Sequence, residues 1–152
     1  MQRNEKGISD PSIIDAIIRK ATICRLGMVD GDTPYVVPLN FGYQANTIYF
    51  HGSRKGYKID IIKKNPNVCA EFDVAVETIV AENACDWSMK FQSVIAFGTA
   101  SLIDDPEEKR RALEIIMAQY TDEKFVFPEN MLAATAVIKV DIERMTGKQS
   151  GF

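Results

Sequence analysis

Two short turns constrain this chain most. Asp30-Gly31-Asp32 and Gln44-Ala45-Asn46 separate three runs rich in β-branched and aromatic residues, at 22–29, 34–43 and 47–52. A turn this short joins neighbouring strands only in antiparallel fashion, because a parallel return needs a crossover of a dozen residues or more. The first half of the chain is therefore expected to be a meander, which argues against parallel βαβ winding. Pro38 lies inside the second run. It has no N–H to give to a ladder, so it marks a sheet edge, a bulge, or a place that something other than a strand approaches.

Helical spacing appears in three places. Asp10-Pro11 is a capped start, and Ile13, Ile14, Ile17, Ile18 and Ala21 then define one buried face. A second helix is expected over 56–64, with Tyr57, Ile61 and Ile62 facing inward and Asn65-Pro66 ending it. A third follows Asp104-Asp105-Pro106 and continues to about Tyr120, with Glu107 and Arg111 paired on its outer face. The remaining strand-like runs are 68–80, 87–103 and 134–142, with loops at 81–86 and 121–130 and a tail from 143 to 152. The expected fold is mainly β with peripheral helices: one domain forming a closed or nearly closed six-stranded antiparallel barrel.

Composition narrows the function classes. The net charge of -3 and pI near 5.2 exclude a general electrostatic grip on nucleic acid. No apolar run approaches the roughly 20 residues that cross a bilayer, and the polar start Met1-Gln2-Arg3-Asn4-Glu5-Lys6 lacks a signal-peptide core, so a cytoplasmic protein without membrane contact is expected. Cys24, Cys69 and Cys85 show no metal-ligand spacing, and no metal site is expected. They read as free thiols, with Cys24 and Cys69 as small core residues.

Against this acidic background, Tyr49-Phe50-His51-Gly52-Ser53-Arg54-Lys55-Gly56-Tyr57-Lys58 stands out. An apolar run ends in the only histidine, a cationic Gly/Ser turn follows, and a helix begins. Free N–H groups and the dipole at a helix start favour an anion there, and Arg54, Lys55 and Lys58 add charge. The spacing is not that of a Walker motif. The alternative is a merely solvated basic turn.

The order of motifs resembles the pyridoxamine 5′-phosphate oxidase-like, FMN-binding split-barrel superfamily, and within it the 5-nitroimidazole resistance (Nim) type. The likeness rests on Tyr35 to Tyr43, Ile48 to Ser53 with Gly56 and Lys58, Asn65 to Cys69, Trp87 to Ala100, and Thr146-Gly147-Lys148. It implies a homodimer of split barrels with two FMN sites at the interface. Val37, Pro38, Leu39 and Asn40 would lay their backbone against the isoalloxazine ring. Ser53, Arg54, Lys55 and Lys58 would hold the phosphate, with Gly52 and His51 beside them among the cofactor-binding residues. Gln92, Ser93 and Val94, with Trp87, would reach the flavin from the other subunit. His51 matches a family histidine facing the flavin and substrate pocket, and would be the catalytic group.

The resemblance further implies an FMN-dependent oxidoreductase that takes electrons from an external donor and reduces small molecules such as nitroimidazoles. Pyridoxamine 5′-phosphate oxidase activity itself is disfavoured, since the tail offers only Arg144 and Lys148 for a second phosphate. Alternatives are a non-catalytic flavin- or haem-binding protein on the same barrel, with His51 as axial ligand, and a deazaflavin enzyme. Bland readings stand beside these. His51 is also compatible with a strand-end histidine bonded to backbone, and Trp87 with ordinary interface packing. Cys85 as a nucleophile beside His51 would lack an orienting third group. Tyr120, Phe125 and Phe127 are expected to pack, with the 125–128 loop as a pocket rim.

Overall fold

The computed structural model describes residues 6–152, so the first five positions of the polar start lie outside it. In chain order the elements are β1 (Gly7–Ile8), α1 (Pro11–Lys20), β2 (Cys24–Asp30), β3 (Thr33–Leu39), β4 (Gly42–Gln44), β5 (Thr47–Ser53), α2 (Tyr57–Lys64), β6 (Asn67–Ile79), β7 (Ser88–Leu102), α3 (Pro106–Ala118), α4 (Glu129–Ala134) and β8 (Thr135–Ser150). Every strand pairing is antiparallel. The sheet runs β3-β2-β6-β7-β8-β5-β4, with β1 added to β8. β3 and β4 are its two ends and no ladder joins them, so the barrel is split rather than closed.

Two cores form on the two faces of the curled sheet. The larger, inside it, holds Phe41, Phe50, Phe72, Leu26, Ile48 and the buried face of α1. The smaller lies between the other face of β5 and β8 and the helices α3 and α4, with Ile103, Ile116, Phe127, Leu132 and Val137. Among the described residues no helix is long and apolar enough to cross a membrane.

Two of the helix starts, those of α1 and α3, follow their caps. Asp10 accepts from the Ser12 N–H at 2.9 Å, and Asp105 accepts from the Glu108 N–H at 3.0 Å. Several expectations are corrected. The described residues form eight strands and four α-helices, where six and three were expected. The second run breaks at Asn40-Phe41, where the Phe41 N–H leaves the ladder and donates to the Tyr120 hydroxyl at 2.9 Å. The segment read as a tail is strand as far as Ser150. There the pairing jumps from Phe97–Arg144 to Gly98–Ile142, leaving Glu143 unpaired. That bulge switches the inward positions from even to odd numbers, which hides the alternation. Ile13 is 42% exposed and Tyr57 45% exposed, whereas Ile59 is buried. Glu107 pairs with Arg110, not Arg111, at 3.6 Å. The helix α4 has six residues and no side-chain cap, so periodicity could not reveal it.

Candidate functional site

The cationic stretch singled out in the sequence lies where β5 ends. Ile48 and Phe50 face the inner core, and by strand alternation Gly52 faces the same way. The Lys58 Nζ stands 2.9 Å from the point that a Cβ on Gly52 would occupy, so the missing side chain makes room for the ammonium. Gly56 precedes α2 with φ of 154°, a conformation that favours glycine, and gives no side-chain cap. The first N–H groups of α2 are thus left to an external acceptor. Ser53 Oγ accepts from the Lys55 N–H at 3.3 Å and tightens the turn. Among the described residues, Arg54, Lys55 and Lys58 make no ion pair. Arg54 instead donates from Nη1 to the Ala133 carbonyl at 3.0 Å.

His51 is half-buried and sits across the ladder from Val137, on the α3–α4 side of β5. Burial, and then the charge of Lys58, hold its pKa below the ordinary 6.5. Its imidazole is therefore neutral at pH 7 and keeps one N–H to donate.

On β3, Val37 and Leu39 turn toward the inner core while Pro38, and Asn40 just past the strand, are exposed. β3 is an end strand, so of the meanings open to Pro38 the edge is the one realised. This strand meets the cationic stretch through an aromatic pair. Tyr35 and Tyr57 pack edge to face with centroids 4.8 Å apart, and the Tyr57 hydroxyl donates to Asp30 Oδ2 at 2.7 Å. The inward Tyr57 of the sequence reading is thus an exposed strut between α2 and the β2–β3 turn.

Gln92, Ser93 and Val94 lie on β7, away from the turn, and among the described residues no hydrogen bond joins them or Trp87 to it. Gln92 Nε2 donates to Gln149 Oε1 at 3.1 Å, and Val94 is fully buried in its own chain's core. Trp87 is 51% exposed beside the β6–β7 connection. Cys24 is buried and Cys85 exposed, but Cys69 is only half-buried. Cys69 lines an open groove of about 570 Å³ on the outer face, with Val29, Pro34, Tyr35, Val36 and Phe97. Neither this groove nor the Tyr35–Tyr57 strut was visible in sequence, because each joins residues from elements separated along the chain. The 125–128 loop does rim a cavity, of about 310 Å³, through Phe125 and Phe127. Tyr120 ties segments together: its hydroxyl also donates to the Thr22 carbonyl at 2.9 Å.

The antiparallel split barrel is the fold that the motif order implied. A family model described as pyridoxamine 5′-phosphate oxidase matches residues 10–149. The chain belongs to the pyridoxamine 5′-phosphate oxidase family. Among solved structures it is similar to a candidate 5-nitroimidazole antibiotic resistance protein from Bacteroides thetaiotaomicron, at 38% identity over 94% of this chain and 86% of that one, with a TM-score of 0.86. Two more distant likenesses share the fold. One is the FAD and heme binding protein from Mycobacterium smegmatis, at 20% identity, 97% and 74% coverage and a TM-score of 0.87. The other is the flavocytochrome Anf3 from Azotobacter vinelandii, at 22% identity, 100% and 73% coverage and a TM-score of 0.84. No curated protein matches the sequence.

Proposed function

We propose that this family member is an FMN-dependent reductase of small molecules, working as a cytoplasmic homodimer. The observation that carries the reading is the Lys58 ammonium drawn over Gly52 at an uncapped helix start, with no carboxylate partner among the described residues. This donor set fits a phosphate dianion. Lys58, Lys55, the Ser53 hydroxyl and the first N–H groups of α2 would hold it. The free edge of β3 at Val37–Asn40 offers backbone groups for the polar rim of the ring system. FMN, when bound, supplies the transfer of electrons from an external donor to the acceptor. The chain's part is to bind, orient and exclude water. His51, being neutral, can donate its N–H to charge gathering on the acceptor without bringing a cation beside Lys58.

The likeness to the candidate 5-nitroimidazole resistance protein makes nitroaromatics the first substrates to try. Oxidation of pyridoxamine phosphate is disfavoured because the tail cations lie on ring faces: Arg144 is 3.9 Å from the Phe97 centroid and Lys148 6.0 Å from that of Phe91. A second copy is supported by the β6–β7 hairpin. Residues 77–79 and 88–90 pair only with each other, past the last rung with β8, and nearby Val76, Val80 and Trp87 are 58%, 69% and 51% exposed. Such apolar surface calls for cover, and a partner so placed would bring Trp87 and Gln92 to the other site.

One observation favours a second reading. A neutral, half-buried His51 also suits an axial haem ligand, and two relatives of the same fold are described as a flavocytochrome and a heme binding protein. The absorption spectrum decides. We expect a yellow protein that releases FMN on heating and, once reduced anaerobically, passes electrons to nitro or quinone acceptors. A Soret band would transfer the assignment to haem, a deazaflavin chromophore would change the cofactor, and no transfer to any acceptor would make the protein a carrier.

A further inference from the structure

The seat's cations divide between two faces of β5. The Lys58 ammonium lies over Gly52, on the face of Ile48 and Phe50. Arg54 Nη1 donates to the Ala133 carbonyl, at the end of α4, and α4 packs through Leu132 into the second core on the opposite face. Three groups converge there. Ser53 pairs with Thr135 on the last rung of the β5–β8 ladder, and Lys109 Nζ donates to the carbonyls of both Leu132 and Thr135 at 3.0 Å. The last carbonyls of a helix lack intrahelical partners and its C-terminal dipole attracts cations, so α4 is held by Arg54 from the turn and Lys109 from α3.

We infer that Arg54 is a positioning residue: it latches the 53–56 turn to the carbonyl end of α4, while Lys58 and the turn's N–H groups hold the phosphate. Order in α4 and occupancy of the seat then form one equilibrium. This rests on the flavin reading for the identity of the anion, but the latch itself does not.

The test is Arg54→Met in the full chain, followed by hydrogen exchange over residues 129–134 and by FMN titration at several salt concentrations. Arg54 is exposed, so the variant is expected to fold. Without ligand, exchange in α4 rises about tenfold, as for loss of one charge-assisted bond. FMN slows that exchange in the wild type and not in the variant. The salt dependence of FMN affinity stays as steep as in the wild type, since no phosphate contact has been removed. Unchanged α4 exchange in the ligand-free variant overturns the inference. So does weaker FMN binding with a shallower salt dependence, which marks Arg54 as a direct anion ligand. If the wild type binds no FMN, the flavin reading falls, and the ligand-free exchange still decides the latch.

Discussion

Gly52→Ala isolates the contact on which the functional reading depends. An added Cβ would lie 2.9 Å from Lys58 Nζ and 3.6 Å from its Cε. That is too close, so the ammonium must move. The move is easy, because the obstructed atoms are the far end of a flexible side chain. Gly52 also does not need a positive φ, which among the described glycines is found at Gly31, Gly56 and Gly151. Stability should therefore change by less than about 1 kcal/mol, a melting shift of at most about 2–4 °C for a chain this size. Displacing the ammonium is different. A hydrogen bond to a charged group is worth about 1.5–3 kcal/mol, and partial loss of it should raise the FMN dissociation constant about five- to thirtyfold. Quenching of flavin fluorescence measures the affinity and thermal unfolding measures the stability. Lys58→Ala sets the limit, expected at about 1–3 kcal/mol, and adding Gly52→Ala to it should cost nothing more, since both act through one ammonium. Gly98→Ala is the contrasting control: its Cβ would run into the Asp141 carbonyl oxygen, within rigid backbone, so it should destabilise the fold itself. Unchanged FMN affinity in Gly52→Ala, or losses that add in the double variant, would refute the phosphate role of Lys58.

His51 is the only histidine, so its ring proton resonance can be followed through a pH titration without ambiguity. Lys58→Met should raise its pKa toward 6.5 without reaching it, because burial, the larger cause, persists. A folded-state pKa below the unfolded one means that stability is full above about pH 6.5 and declines as pH falls through the lowered value, a slope that His51→Ala should flatten in melting experiments. His51→Ala should also leave FMN bound while slowing turnover by about 10²-fold or more; unchanged turnover would remove it from the mechanism. Glu71 is pushed up to about 7 by burial and then by Asp73, with Arg25 opposing. For a carboxyl with a raised folded pKa the penalty builds as pH rises from the ordinary 4.5 to about 7, so Glu71→Gln should raise the melting temperature more at pH 8 than at pH 5. Val80→Asp on the exposed hairpin should shift light-scattering mass from dimer to monomer and weaken FMN binding with it; a dimer that persists with full affinity would move the interface elsewhere.

Much of the local structure was legible because it depends on near neighbours. The Asp10 and Asp105 caps, the hairpins at Asp30-Gly31-Asp32 and Gln44-Ala45-Asn46, and the stop at Asn65 each follow from the chemistry of a few adjacent residues. The approach of Lys58 to Gly52 is local in the same way: His51 through Lys58 is one continuous stretch, and the return of Lys58 over it needs only one helical turn. The family could be read as well, since motif order is a property of the chain.

The rest was decided by contacts between distant segments. The bulge at Glu143 set which residues of β8 face inward, and no local pattern announces where a ladder slips. The break at Phe41 depends on Tyr120, 79 residues away, and the course of Arg54 on Ala133, also 79 residues away. Sequence alone placed three cations in one stretch and favoured Lys58, one turn into the helix, without saying where Arg54 goes. Tertiary structure divided them, because a helix end with unsatisfied carbonyls lies within reach of one cation and a side-chain-free glycine within reach of another.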